Sequence, residues 1–252
     1  MKMLLRWIRA AEGALSVSAQ GCLWCGLAKG VGSDPRSPRL CAGCAAQVPW
    51  IMHPVCTVCG RAEDCPDCPR RERSYIQANR SAVQYTLFMK DMLARYKYRG
   101  SEKLAPLFGE MACFAYGQLQ QLWGERSAAG TVLTFVPLSR RRLEERGFNQ
   151  AETMARYVGS RFRVPVVPLL IRTRHTEKQS YKSRRERIES LDRAFAPAAG
   201  DAVCRLREAG TSRIVLVDDV YTTGSTMQRC GETLLGAAGG RGLEIYGLTW
   251  AR

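Results

Sequence analysis

Eight of the eleven cysteines in this 252-residue chain fall between positions 22 and 68, as four Cys-x-x-Cys pairs: "CLWC" (22–25), "CAGC" (41–44), "CTVC" (56–59) and "CPDC" (65–68). One such pair is weak information, since redox dithiols and chance both produce it. Four in so short a segment predict metal knuckles: each turn brings two thiolates to one tetrahedral Zn2+, and two turns complete a four-cysteine set. A segment this small buries little apolar surface, so metal binding supplies much of its folding free energy. The predicted ligands are Cys22, Cys25, Cys41, Cys44, Cys56, Cys59, Cys65 and Cys68, four to each of two zinc ions. Pairing in sequence order is the simplest arrangement. Fifteen residues separate Cys25 from Cys41, a comfortable loop, but only five separate Cys59 from Cys65, so interleaved pairing stays open. Cys113, Cys204 and Cys230 stand in mostly apolar contexts and read as core residues.

The texture changes near residue 75. Before it, Gly and Pro favour turns; after "PRRERS" apolar β-branched runs alternate with helical patterns. The runs are "AVQYTLF" (82–88), "TVLTFVP" (131–137), "VPVVPLLI" (164–171), "RIVLVDD" (213–219) and "EIYGLTW" (244–250). Between them, Asn149 is placed to cap a helix presenting Ala151, Met154, Ala155, Val158 and Phe162. Met227, Cys230, Leu234 and Ala238 share one face of another. The predicted organisation is an N-terminal helical segment (1–20), a double zinc ribbon (21–74) and an α/β domain (75–252) with a central, mostly parallel sheet flanked by helices. Arg6, Arg9 and Glu12 interrupt the N-terminal apolar stretch, and no run reaches about 18 apolar residues, so neither a signal peptide nor a membrane span is expected. The expected location is the cytoplasm, where cysteines serve as thiols or metal ligands rather than disulfides.

"IVLVDDVYTTGSTM" (214–227) concentrates the chemistry. A uniformly apolar strand suits the centre of a parallel sheet, and ligands bind beyond the carboxyl ends of such strands. Asp218 and Asp219 fall at that end. The turn after them offers backbone N–H groups, Thr and Ser hydroxyls and a helix N-terminus to a phosphate, and Gly224 permits close approach and a positive φ. The alternative is an ordinary strand–turn–helix with capping hydroxyls and an incidental acid pair, but two adjacent carboxylates without a ligand there would cost energy without return.

"VLVDDVYTTGST" resembles the phosphoribosyl pyrophosphate (PRPP) motif of type I phosphoribosyltransferases. The resemblance implies that Asp218 and Asp219 hold the ribose hydroxyls and that Thr222, Thr223, Gly224, Ser225 and Thr226 wrap the 5-phosphate, with Val220 and Tyr221 completing the PRPP-binding segment and Mg2+ accompanying PRPP. Together with "VPLSRRRLEERGFNQAETMA" (136–155), "RTRHTEKQSYKSRRERIESLDRAF" (172–195), "KYRG" (97–100) and the cysteine knuckles, it makes the chain similar, over nearly its whole length, to the ComF family of bacterial competence proteins. That family carries a type I phosphoribosyltransferase fold behind zinc knuckles. In its pattern the second basic segment more often reads Gln-x-x-Leu and then Asn-Val, where this chain has Lys182, Ser190 and Leu191.

By the same resemblance, the turn "PLSRRR" receives pyrophosphate, with Ser139, Arg140, Arg141 and Arg142 as candidates; each arginine taken singly reads equally well as a solvated charge. Seven basic residues between 172 and 187 (Arg172, Arg174, Lys178, Lys182, Arg184, Arg185 and Arg187) suit a loop closing over PRPP or a nucleic-acid contact. No catalytic base is identifiable; His53 and His175 are assigned no role. A net charge of +15 agrees with polyanionic partners. The function the resemblance implies is DNA uptake in natural transformation, with PRPP and single-stranded DNA bound and other competence proteins as partners. The alternatives are an active phosphoribosyltransferase with an unidentified acceptor and a PRPP-sensing regulator without catalysis.

Overall fold

In the computed structural model the described residues are 21–28, 30–98, 101–124, 130–173, 194–198, 202–208, 210–239 and 242–252. The predicted helical segment 1–20 and the basic stretch 174–193, with Arg174, His175, Lys178, Lys182, Arg184, Arg185 and Arg187, lie outside them. In chain order the described elements are helix α1 (Ala42–Ala45), β1 (Asn79–Val83), α2 (Leu87–Tyr96), a 3-10 turn (Glu102–Leu104), α3 (Ala105–Trp123), β2 (Thr131–Phe135), α4 (Arg140–Arg146), α5 (Gln150–Phe162), β3 (Leu170–Arg172), β4 (Phe195–Pro197), α6 (Ala202–Glu208), β5 (Arg213–Val220), α7 (Ser225–Ala237) and β6 (Glu244–Ala251).

Four strands form a parallel sheet in the order β1-β6-β5-β2, and β3 pairs antiparallel with β4. The α/β class, the parallel sheet and its flanking helices are as predicted. Strand β5 runs between β6 and β2, with Ile214 beside Ile245 and Leu216 beside Thr134. Its first five residues are buried and its acidic end is half-buried. Continuous apolar residues are what a strand covered on both faces requires. "EIYGLTW", as β6, lies inside the sheet between β1 and β5.

Two apolar runs resolve differently from the prediction. "AVQYTLF" splits, because Thr86 takes extended backbone and accepts from the Met89 N–H at 3.4 Å, capping α2 where a longer strand was expected. In "VPVVPLLI", Pro165 and Pro168 offer no N–H to a ladder; a bridge from Val166 to Leu133 and the short β3 are formed there. Asn149 caps α5 as predicted, accepting from Ala151 N–H at 3.0 Å. Met227, Cys230, Leu234 and Ala238 are all buried, whereas Cys113 and Cys204 are only half-buried rather than core.

Against the sheet, Tyr96, Phe108 and Trp250 stack with centroid distances of 4.1 and 4.5 Å. Such pairs contribute about 0.5–1.5 kcal/mol each beyond their burial. Residue contacts divide the chain into two units, Met1–Pro49 and Trp50–Arg252. The cysteines 22–44 belong to the first; the cysteines 56–68 belong to the second, together with the sheet.

Candidate metal and anion sites

The eight cysteines gather into two groups, Cys22, Cys25, Cys41, Cys44 and Cys56, Cys59, Cys65, Cys68, with the sulfurs of each within 4.8 Å of one another. This is the sequential pairing; the interleaved alternative does not occur. Cys25 and Cys41 sulfurs are 3.6 Å apart, and those of Cys59 and Cys65 are 3.5 Å apart. Zn–S bonds of about 2.3 Å at tetrahedral angles put sulfurs roughly 3.8 Å apart, whereas a disulfide holds them at about 2.05 Å. The donor set therefore fits zinc. Burial works against a thiolate at Cys65, but backbone N–H groups of Cys68 and Asp67 more than offset it and bring its pKa down to about 6.

The second knuckle is fastened to the edge strand by its own backbone. Asn79 N–H donates to Val58 O at 2.6 Å, Asn79 Nδ2 to Cys59 O at 3.1 Å, and Arg80 to Thr57 O at 3.0 Å. Asn79 also bonds Ser81 and Thr249 in a buried cluster. Gly247 makes room for it: a Cβ there would meet Asn79 Oδ1 at 2.5 Å. Three otherwise orphaned knuckle carbonyls are thereby satisfied, which fixes the knuckle at β1.

At the carboxyl end of β5, Asp218 and Asp219 border a cavity of about 500 Å3. Its other charged lining residues are Lys90, Lys97, Arg142, Arg146 and Arg172, which give five cations to two carboxylates. Lys97 Nζ lies 2.6 Å from Asp219 Oδ2. Against the opposing effect of burial, Lys97 and Arg146 hold Asp219 below the usual carboxylate range. Burial and then the Asp219 charge push Asp218 up to about 7. One carboxylate is thus ionised and the other poised near neutrality, a separation typical of binding sites. Burial and the Arg142 charge both weigh against the Arg172 cation. Crowded guanidiniums with so few carboxylates make a place for a polyanion.

The segment after Asp219 forms the turn expected of it. Gly224 has φ +78° at the cap of α7, and Thr223 Oγ1 lies 2.8 Å from Ser225 Oγ. Thr222 and Thr226 line the cavity together with Val220; Tyr221 is buried behind the loop. Of the pyrophosphate candidates, Arg142 lines the cavity and Ser139 is buried at the head of α4. Arg140 and Arg141 point along the exposed face of α4, paired with Glu144 and Glu145 at 2.9 Å each. Lys97 and Arg146 reach the acid pair without having been assigned a role; "KYRG" marked the first, and nothing local marked the second.

A second cavity of about 360 Å3 shares Tyr85, Val220 and Thr222 with the first. Its other walls include Arg61, Glu63 and Asp67 from the second knuckle, together with Gln84 and Arg252. The knuckle therefore borders the loop that follows the acid pair.

No family model matches the chain. It is 30% identical over 209 residues to the competence protein ComFC of Bacillus subtilis, covering 78% of each chain. This chain belongs to the ComFC family. The ComFC of Streptococcus pneumoniae is 28% identical over 213 residues, covering 83% of this chain and 86% of that one. Competence protein F of Haemophilus influenzae is 26% identical over 220 residues, covering 84% and 90%. The matches to these three relatives span 78–84% of this chain. No described helix is long and apolar enough to cross a membrane.

Proposed function

We propose that this protein serves DNA uptake in competence, in the cytoplasm and alongside other competence proteins, by binding PRPP at the Asp218–Asp219 cavity and single-stranded DNA on its basic surface. Membership of a family whose relatives are named competence proteins supports the role. The observation that carries the PRPP reading is the pairing of an acid couple with an anion loop in a cavity that also holds Lys97, Arg142, Arg146 and Arg172. The carboxylates accept hydrogen bonds from a vicinal diol, the loop donates to a phosphate, and the arginines face a diphosphate. The cavity offers two carboxylates, Asp218 and Asp219, to Mg2+. That ion characteristically takes one or two carboxylates and completes its shell from substrate phosphates and water.

The second cavity favours a further reading as a phosphoribosyltransferase. It shares Tyr85, Val220 and Thr222 with the first, so an acceptor group held there would lie next to the site proposed for the sugar. The cysteine knuckle then serves as the cover over the acceptor. Positioning, charge balance against the departing pyrophosphate and exclusion of water are the contributions such a site makes. A sensor that binds PRPP without turnover uses the same first cavity.

Calorimetric titration of PRPP with Mg2+ into the zinc-loaded protein tests the shared element. Binding that is lost in the Asp218→Asn, Asp219→Asn double variant is expected; an unresponsive wild type would end the PRPP reading. Pyrophosphate release with a supplied acceptor separates enzyme from sensor.

A further inference from the structure

We propose that Arg252 and Arg71 are positioning residues that hold the anion loop open by tying its carbonyls back towards the second cysteine knuckle. The inference rests on the reading of residues 222–226 as an anion site and names what shapes it. Arg252 follows β6 and is fixed at its backbone: its N–H donates to Val83 O at 3.0 Å and its carbonyl accepts from Tyr85 N–H at 2.9 Å. Its Nη1 donates to Tyr221 O at 3.1 Å and to Thr222 O at 2.7 Å. Its Nη2 lies 3.9 Å from Cys65 Sγ, and the guanidinium covers the Tyr221 ring at 4.7 Å. Arg71, three residues beyond Cys68, donates to Thr223 O at 2.9 Å and approaches Tyr221 Oη at 3.4 Å.

Three successive carbonyls, those of residues 221, 222 and 223, are thus held by two arginines. In a planar trans peptide the N–H of the next residue points opposite to the carbonyl. The N–H groups of Thr222, Thr223 and Gly224 consequently face away from the arginines. Among the described residues no acceptor takes any of the three. Consecutive unpaired N–H groups form a concave anion receptor. Glycine at 224 lets the loop backbone lie against the Tyr221 hydroxyl, which a side chain there would meet. The Cys65 sulfur completes the connection: a zinc ion held by four thiolates carries a net charge of about −2, which the Arg252 guanidinium opposes from outside the ligand shell.

The test uses the zinc-loaded full chain and its R252A, R252K and R71A variants. Backbone 15N order parameters are measured without ligand, and the affinity for PRPP with Mg2+ is measured by calorimetry. The clasp predicts order parameters at residues 222–224 of about 0.85 in the wild type, falling below about 0.6 in R252A. It also predicts at least tenfold weaker PRPP binding in R252A and R71A, with zinc content and melting temperature held. R252K is expected to recover part of the affinity, because an ammonium donates to the same two carbonyls but loses the planar stacking on Tyr221. Unchanged order and affinity in both alanine variants overturn the proposal. A wild type that fails to bind PRPP defeats the anion reading instead, and the order parameters alone then decide whether the clasp exists.

Discussion

Asp218 is the residue at which stability and the proposed ligand site oppose each other, and its neighbour Asp219 does not share that conflict. Raising Asp218 from its ordinary 3.8 to about 7 means that the native state binds a proton which the unfolded chain has released across that interval. Unfolding free energy therefore falls as pH rises from about 4 to about 7 on account of this group. Asp219, held low by Lys97, has the opposite sign: its contribution is present at neutral pH and is lost on acidification. Asp218→Asn is accordingly expected to raise the unfolding free energy by on the order of 1 kcal/mol at pH 8, with the gain fading towards pH 4. Denaturant titrations at the two pH values check this. A gain that grew at low pH would contradict the assigned charge state. Stabilisation together with loss of ligand binding is the mark of a carboxylate kept for function.

At the scale of elements, the second knuckle is attached to β1 through the carbonyls of residues 57, 58 and 59 and to the loop carbonyls of residues 221–223 through Arg71 and Arg252. Its four cysteines sit in or against the apolar cluster that includes Ile76, Leu216 and Tyr221, and metal binding adds to what holds them together. Cys65→Ser is expected to reduce bound zinc from two ions per chain to one and to lower the melting temperature by several degrees, a loss of about 2 kcal/mol. Elemental analysis paired with a thermal melt reads both quantities. Two ions retained in that variant would mean that Cys65 is no ligand. Capping decides elements elsewhere: Thr86 ends the first apolar run and starts α2 three residues after β1 closes.

Across the whole molecule the excess of cations is distributed unevenly in its consequences. Some are tied up: Arg140 and Arg141 with the glutamates of their own helix, and Arg213 with Glu244 at 3.7 Å and over Trp123 at 4.2 Å. The net charge of +15 remains after every acidic residue is counted. Oligo-dT binding should therefore weaken steeply with salt. Engagement of five phosphates predicts a log–log slope of about −3.5, roughly a hundredfold between 50 and 200 mM salt. Fluorescence anisotropy across that range measures the slope. A flat response would remove the charged surface as the basis of DNA binding.

The sequence alone determined the features whose signals are carried by chain neighbours. The Cys-x-x-Cys turns announce two metal knuckles because ligand spacing is a local geometric requirement. The run from Ile214 to Thr226 announces strand, acid pair and the hydroxyl-rich turn into a helix because each part is set by residues within a few positions. Tertiary structure decided the rest. It chose sequential sulfur pairing, put Arg142 rather than Arg140 and Arg141 at the cavity, and brought Lys97 to Asp219. It also joined Arg252 to residues 221 and 222, and Arg71 to a carbonyl 152 positions away. A parallel sheet gathers the carboxyl ends of strands that are distant in the chain, so the groups that shape a ligand's surroundings meet only after those strands have packed.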